Sequence, residues 1–165
     1  MACFDSVGNA LYVEILNDEG SYNAAGAWVD VTADSVVINP TGGDKSISQS
    51  NTFGRQITRL SRPSAKQLAY TVERSTTIYP NLGGSTLMEY LQSRYGGGQC
   101  FWIRWTFPSQ FNADGTPNPQ AGDERLALKC ANTTWGFKGG DANGDGSVVK
   151  QYTFAVSAEN EDVVA

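Results

Sequence analysis

Two segments of this sequence decide its fold: Gln67-Leu68-Ala69-Tyr70-Thr71-Val72-Glu73-Arg74 and Cys100-Phe101-Trp102-Ile103-Arg104-Trp105-Thr106-Phe107. Apolar residues occupy every second position in both. A period of two is typical of a strand whose two faces differ. The shared faces are Leu68, Tyr70 and Val72 in the first segment, and Phe101, Ile103, Trp105 and Phe107 in the second.

A single helix is predicted between these strands, over residues 85–95. Thr86 and Glu89 have the spacing of a capping box, in which the first residue caps the helix start. Leu87, Leu91 and Tyr95, with Met88 beside them, form one apolar stripe. The glycines at 96–98 then end the helix. The stripe predicts packing against the sheet rather than a ligand site.

The rest of the chain has the pattern of a β protein. Eighteen glycines and many Thr, Val, Tyr and Trp residues favour short strands joined by turns. We therefore predict a mainly β fold: a sandwich or barrel of antiparallel strands in one domain, 1–165, with the flanking helix and a solvated acidic tail at 159–165. Prolines and turn dipeptides exclude regular structure from 107–123. Further strands are expected at 11–16, 27–31, 35–38, 125–130 and 148–158.

A long polar segment, residues 39–54, separates two of the predicted strands. It is rich in Gly, Ser, Thr and Asn, and it alternates weakly around Ile47. We interpret it as an extended hairpin arm, since long connections without structure are uncommon in compact domains and tend to carry function. Arg55, Arg59 and Arg62 follow it directly.

Composition argues against an enzyme. The chain has no histidine, which removes histidine-based nucleophilic catalysis and histidine metal ligation. Cys3, Cys100 and Cys130 are too few and too scattered for a zinc site. Cys100 and Cys130 could face each other across a sheet, but reduced core cysteines are the favoured interpretation. No cofactor is expected.

The chain is acidic, with 12 Lys and Arg against 17 Asp and Glu, a net charge of −5. A protein that grips nucleic-acid phosphates should be basic. The acidity fits solubility, and it also fits a surface past which nucleic acid slides. No apolar run reaches membrane-spanning length. The first residues lack the features of a secretory signal, so we expect none.

Two motifs allow a binding function. Asp141, Asn143 and Asp145 match the first half of a calcium loop, but the bidentate Glu of an EF-hand is absent, and a β-turn would use the same residues. We therefore expect no metal site. Trp102 lies on the polar face of its strand beside Arg104. It is either a sugar platform, part of a subunit interface, or packed beneath a neighbouring loop.

The order of these elements resembles one family, the tail tube (major tail) proteins of tailed bacteriophages, with relatives in other phage-like injection tubes. The elements that carry the resemblance are the arm at 39–54, the strand at 68–73, the helix, the strand at 101–105 and the final strand at 150–158.

The resemblance implies a structural protein of a virion. Six copies would close into a ring, and rings would stack into the hollow tube through which DNA passes to the host. The implied partners are further copies of the chain, other tail proteins and transiently passing DNA that does not adhere, with no membrane insertion. The implied location is the phage tail, assembled in the cytoplasm of a bacterial host.

We predict that contacts between subunits or rings involve the arm and its surroundings. The candidate residues are Thr41, Asp44, Lys45, Ile47, Phe53, Arg55, Arg59 and Trp102. Two alternatives stay open: a monomeric β-sandwich module that binds carbohydrate or calcium, and another phage ring protein, such as a tail terminator or a decoration protein.

Overall fold

The computed structural model describes residues 11–17, 20–43, 47–51, 53–60, 65–94, 99–139 and 149–165. These residues form antiparallel strands, one α-helix and two short 3-10 helices, Thr32–Asp34 and Pro80–Leu82. The strands are β1 Tyr12–Leu16, β2 Val29–Asp30, β3 Ser35–Thr41, β4 Ile47–Asn51, β5 Gln56–Leu60, β6 Gln67–Glu73, β7 Cys100–Thr106, β8 Glu124–Gly139 and β9 Val149–Val163, and the helix is α1 Leu87–Ser93. The prediction of a mainly β antiparallel fold with one helix is confirmed.

Seven strands form one sheet in the order β2-β1-β7-β8-β9-β6-β3. The two edge strands are consecutive in sequence, joined through Val31–Asp34. This link can span about 17 Å, whereas a flat seven-stranded sheet is about 29 Å wide. The sheet must therefore curl until its edges approach each other. Consistent with this, the Val31 amide donates to the Val13 carbonyl at 2.9 Å, and the Ser35 hydroxyl donates to the Val31 carbonyl at 2.8 Å.

The core fills the concave face of this sheet. The alternating residues of the two quoted segments lie there as predicted, together with Ile15 and Phe154 from β1 and β9. Phe107 is the exception: it lies just beyond the end of β7, and half of its side chain is exposed. Three register shifts between β8 and β9 let these long strands bend around the core.

Helix α1 closes one end of the core. Its N-cap is Thr86, whose hydroxyl accepts from the Glu89 amide at 3.3 Å, so the predicted cap is confirmed. Leu87, Tyr90 and Leu91 are buried. Tyr90 was not in the predicted stripe. Its ring meets Phe101 edge to face at 5.9 Å. The helix is shorter than predicted, and residues 95–98 lie outside the described residues.

Two predicted boundaries are wrong. Strand β3 runs to Thr41 and so includes Pro40. β3 is an edge strand, so the missing N–H of Pro40 removes no hydrogen bond between strands. The hairpin therefore begins after residue 39, and it extends past 54 because β5, Gln56–Leu60, is its returning strand.

The acidic end is also not a solvated tail. Residues 159–163 complete β9 and pair with β8, where Arg125 binds Asp162.

The strand predicted at 27–31 is shorter than expected, Val29–Asp30. Two further predictions, on the cysteines and on the loop at 107–123, are confirmed. Cys100 and Cys130 are free thiols, the second fully buried. The loop at 107–123 has no helix or strand, only an isolated bridge between Phe111 and Pro117. Cys3 lies outside the described residues.

Candidate assembly surfaces

The first candidate surface is the hairpin of β4 and β5. These strands pair with each other from Ile47–Leu60 to Asn51–Gln56, and among the described residues they form a sheet separate from the main one. Phe53, beside the turn, is fully exposed. A two-stranded hairpin is marginally stable alone in water. An apolar tip on such a hairpin therefore points to a contact with another surface.

The chain leaves and rejoins the main sheet at one place. Gly42 has a φ of 85°, and a Cβ atom there would lie 2.1 Å from the Ala65 carbonyl oxygen. Only glycine fits so close an approach. From here on, the arm means residues 44–64, in place of the predicted bounds 39–54. Its neck is the contact between Gly42 and Ala65. Because the two ends meet at the neck, the arm is a separable projection from the barrel.

The arm differs from the rest of the chain in charge. Residues 44–64 contain four basic residues and one acidic residue, which leaves eight basic and sixteen acidic residues elsewhere. Arg55 is exposed next to Phe53. The arm is thus basic by sequence, whereas the rest of the chain is acidic, so the two carry opposite net charges.

The second region is the convex face of the sheet, which residues 20–28 cross; we call this segment the strap. Trp102 lies beneath it, 3% exposed, and its indole N–H donates to the Gly20 carbonyl at 2.9 Å. The Tyr22 ring meets Trp102 edge to face at 5.5 Å. The prediction of Trp102 as an interface residue is therefore wrong, and the alternative of packing beneath a loop is confirmed.

Arg104 anchors the strap to the sheet. Its guanidinium binds both carboxylate oxygens of Glu14, at 3.0 and 3.1 Å, and also donates to the Tyr22 hydroxyl at 3.1 Å. It stacks on the Trp28 ring, 4.0 Å from the centroid. Burial raises the pKa of Glu14, and the charge of Arg104 offsets only part of that rise. Removing one partner of such a buried pair leaves an uncompensated charge and is strongly destabilising, so Glu14 and Arg104 depend on each other.

A second ion pair extends this network to β9. Arg125 binds Asp162 at 2.6 Å, and the Tyr22 hydroxyl donates to the same carboxylate at 2.7 Å. Burial acts to raise the pKa of Asp162, but these hydrogen bonds hold it below the usual value. The strap is thereby tied to β7, β8 and β9 at once.

The third region lies at the end of the sheet where the concave face extends beyond the buried core. Three cross-strand neighbours, Phe107, Glu124 and Val163, continue the concave face beyond the core. Phe107 and Val163 are 50% and 54% exposed. In the next row the partly buried Leu126 stands opposite the exposed Glu161. We call these five residues the open face. Among the described residues no strand lies beside this part of β9 on its β6 side, because the pairing of β6 with β9 ends at Ala155 and the last backbone bond on that side joins Val156 to Lys66.

Apart from Trp102, the sequence-predicted site residues fall into two groups. Ile47, Phe53, Arg55 and Arg59 come together on the arm, and Thr41 ends β3 just before the neck. Asp44, Lys45 and the calcium candidates Asp141, Asn143 and Asp145 lie outside the described residues. Elsewhere, the described residues hold no cluster of carboxylate or thiol groups placed to bind a metal.

A groove of about 810 Å³ lies between the 112–119 loop and β1. Its charged side chains include Glu14, Arg104 and Arg125, which are engaged in the ion pairs of the convex face. In the described part of the chain, no helix is long and apolar enough to cross a membrane.

Sequence reasoning missed the strap and the open face. The available signal for the strap was Tyr22 in a polar turn region and Trp28 in the predicted 27–31 strand, together with the outward-facing Arg104. For the open face the signal was Phe107. It continues the alternation of apolar residues that forms the core face, but it lies at the start of a proline-rich loop.

Solved structures share this fold over nearly the whole chain. A chain in the six-fold symmetrised structure of the anti-feeding prophage baseplate has a TM-score of 0.58 at 14% identity, covering 98% of this chain and 97% of that one. A chain in the cap that terminates the anti-feeding prophage tube has a TM-score of 0.56 at 11% identity, covering 99% and 95%.

A chain in the extended sheath–tube complex of an extracellular contractile injection system, PVC, has a TM-score of 0.54 at 11% identity, covering 93% and 88%. At such identities the likeness establishes a common fold. No family model matches the sequence, and no curated protein matches it significantly.

Proposed function

We propose that this protein is a ring-forming subunit of a phage-tail-like tube, in which six copies close into a ring and rings stack. The observation that carries the proposal is the shared fold, over nearly the full chain, with components of contractile injection systems, one from a six-fold symmetrised baseplate. The role is structural rather than enzymatic.

The surfaces of the chain support assembly. The arm and the open face are different surfaces of one molecule, and contacts between unlike surfaces generate closed rings or continuing stacks. The edge strands β2 and β3 offer backbone groups that a neighbouring subunit can pair. Val36 and Val37 on β3 are half exposed, which suits an edge that a neighbour covers.

The negative net charge of the chain supports a tube through which nucleic acid passes. The net charge is −5 for the chain and −8 for the residues outside the arm, so a tube of such subunits would repel rather than retain nucleic acid. On this proposal the tube belongs to a virion tail, assembles in the host cytoplasm with other tail proteins, and carries DNA that does not adhere.

Negative-stain electron microscopy of the purified protein tests the proposal. We expect rings with six-fold symmetry, or tubes, at concentrations where the arm can meet a second copy. A protein that stays a uniform monomer at all concentrations would overturn it.

A matched variant replaces residues 44–64 with a Gly-Ser linker of about four residues, which the neck geometry permits. We expect this variant to remain monomeric. Tubes of normal length from it would show that the arm is dispensable.

A second candidate function is a terminating ring. The likeness to the tube-terminating cap, covering 99% of this chain, favours it. A terminator would form single rings that do not stack. Electron microscopy therefore separates the two functions by the length of the particles. The binding-module alternative loses one of its two supports, because Trp102 is buried, while its calcium candidates lie outside the described residues.

A further inference from the structure

We propose that the open face receives the tip of the arm from a second copy of this chain. The inference rests on the proposed function, since it assigns the contact by which neighbouring subunits bind each other. In this contact Phe53 would pack between Phe107 and Val163, and Arg55 would approach Glu124 and Glu161.

The apolar groups of the two surfaces are complementary. Six large hydrophobic side chains of the described residues are substantially exposed. Phe53 is on the arm, and Phe107 and Val163 are on the open face, with Leu126 between them half buried. A face lined by a Phe, a Leu and a Val is suited to burying an aromatic ring, which is a common anchor in protein interfaces.

The charges of the two surfaces are also complementary. Glu124 and Glu161 are exposed and make no ion pair with any described residue, whereas Glu159 beside them binds Lys66 at 2.6 Å. The arm carries four basic residues and one acidic residue. An apolar centre with an acidic rim thus matches an apolar tip on a basic projection.

The backbone offers a further contact. On its β6 side the pairing of β9 ends at Ala155, and the Val156 amide then donates to the Lys66 carbonyl at 3.1 Å. Beyond Val156 the described residues give β9 no backbone partner on that side, so its last residues present an edge next to the open face. An incoming arm strand can pair with such an edge. Phe53 is fully exposed, so within one copy it does not lie on the open face. The matching apolar and charged groups of the arm and the open face favour a second copy as the occupant.

Cysteine cross-linking tests the contact directly. The variant carries Phe53→Cys and Val163→Cys, with Cys3→Ser and Cys100→Ser to remove the other thiols outside the core. After mild oxidation we expect a ladder of disulfide-linked multimers on a non-reducing gel. The matched control pairs Phe53→Cys with Ile78→Cys, because Ile78 has the same exposure as Val163, 54%. The control should yield at least about tenfold less multimer.

The outcomes separate the two proposals. A cross-link confined to a fast-migrating monomer would mean that the arm folds onto its own chain, and it would overturn this inference. Rings or tubes without any cross-link would also overturn it while leaving the proposed function intact. If the protein unfolds cooperatively, and is therefore folded, yet forms no particles and no cross-links, the inference and the proposed function are both overturned.

Charge exchange provides an independent measurement. Glu124→Lys with Glu161→Lys should raise the protein concentration needed for assembly by about tenfold or more. Adding Arg55→Glu should recover most of that loss. The control, Glu73→Lys with Glu89→Lys, changes the net charge equally at a distance from the open face and should have little effect. Equal losses in the two double variants, or no recovery, would argue against the contact.

Discussion

The strap and the arm both lie outside the core, yet they use their side chains in opposite ways. The strap directs Tyr22 and Trp28 onto its own sheet, where Arg104 and Trp102 receive them. The arm is attached at its neck and leaves Phe53 fully exposed. The difference indicates that the strap stabilises the monomer, whereas the arm is available to another molecule.

The largest loss of stability is expected when the guanidinium that anchors the strap is removed, and this variant tests whether the strap stabilises the monomer. Arg104→Ala leaves Glu14 buried without its partner, and we expect the free energy of unfolding to fall by about 3–5 kcal/mol. Urea unfolding followed by tryptophan fluorescence measures the change. Arg104→Met combined with Glu14→Gln removes both charges and should recover much of the loss. A loss below about 1 kcal/mol for Arg104→Ala would contradict an anchoring role.

A smaller effect is expected beneath the strap. Trp102→Phe keeps an aromatic ring but removes the N–H that binds the Gly20 carbonyl, and it should cost about 1–3 kcal/mol. Trp28→Phe is the matched control, because the Trp28 indole donates to the exposed Asn23 carbonyl, which water can satisfy. Equal losses in the two variants would mean that the buried hydrogen bond contributes nothing special.

Much of this fold was predictable because its signals are local. Alternation placed Leu68, Tyr70 and Phe101 on the core face, and the Thr86–Glu89 spacing placed the helix start. The burial of Trp102 was not predictable, since its cover comes from Gly20, 82 positions away. The acidic end of the chain was misassigned for the same reason. Its strand is held by Arg125, 37 positions earlier.

The candidate surfaces divide in the same way. The arm residues could be found because they are contiguous in sequence. The limits of the arm could not, since the edge position that tolerates Pro40 depends on the sheet order. The open face is defined by where β6 stops pairing with β9, which no local pattern records.

The tie between the strap and β9 should depend on pH. The pKa of Asp162 is lowered in the folded protein, so its contribution to stability is complete above the ordinary carboxyl pKa of about 3.9 and is lost as the pH falls through the lowered value. Asp162→Asn should cost less than about 1 kcal/mol at pH 6. Thermal unfolding at pH 6 and pH 3 should show this difference shrinking in acid. A constant difference would contradict the role of the carboxylate charge.

The smallest effect on the monomer is expected from the arm. Replacing residues 44–64 with the short linker should change the free energy of unfolding by no more than about 0.5 kcal/mol, because the arm shares no strand pairing with the described main sheet. Chemical unfolding at a concentration below assembly measures it. A loss comparable to that of Arg104→Ala would remove the distinction between strap and arm.

The pairing of β1 with β7 has a consequence for synthesis. Glu14 and Arg104, partners in that pairing, are 90 positions apart in the chain. At translation rates of about 5–20 residues per second, β1 waits about 5–20 s before its partner is made. During that interval β1 can pair with β2 but not with β7, so Val13 and Ile15 lie on a strand with one open edge, and neighbouring nascent chains offer competing edges. Production at high concentration would therefore favour slow release or chaperone binding at the first strand.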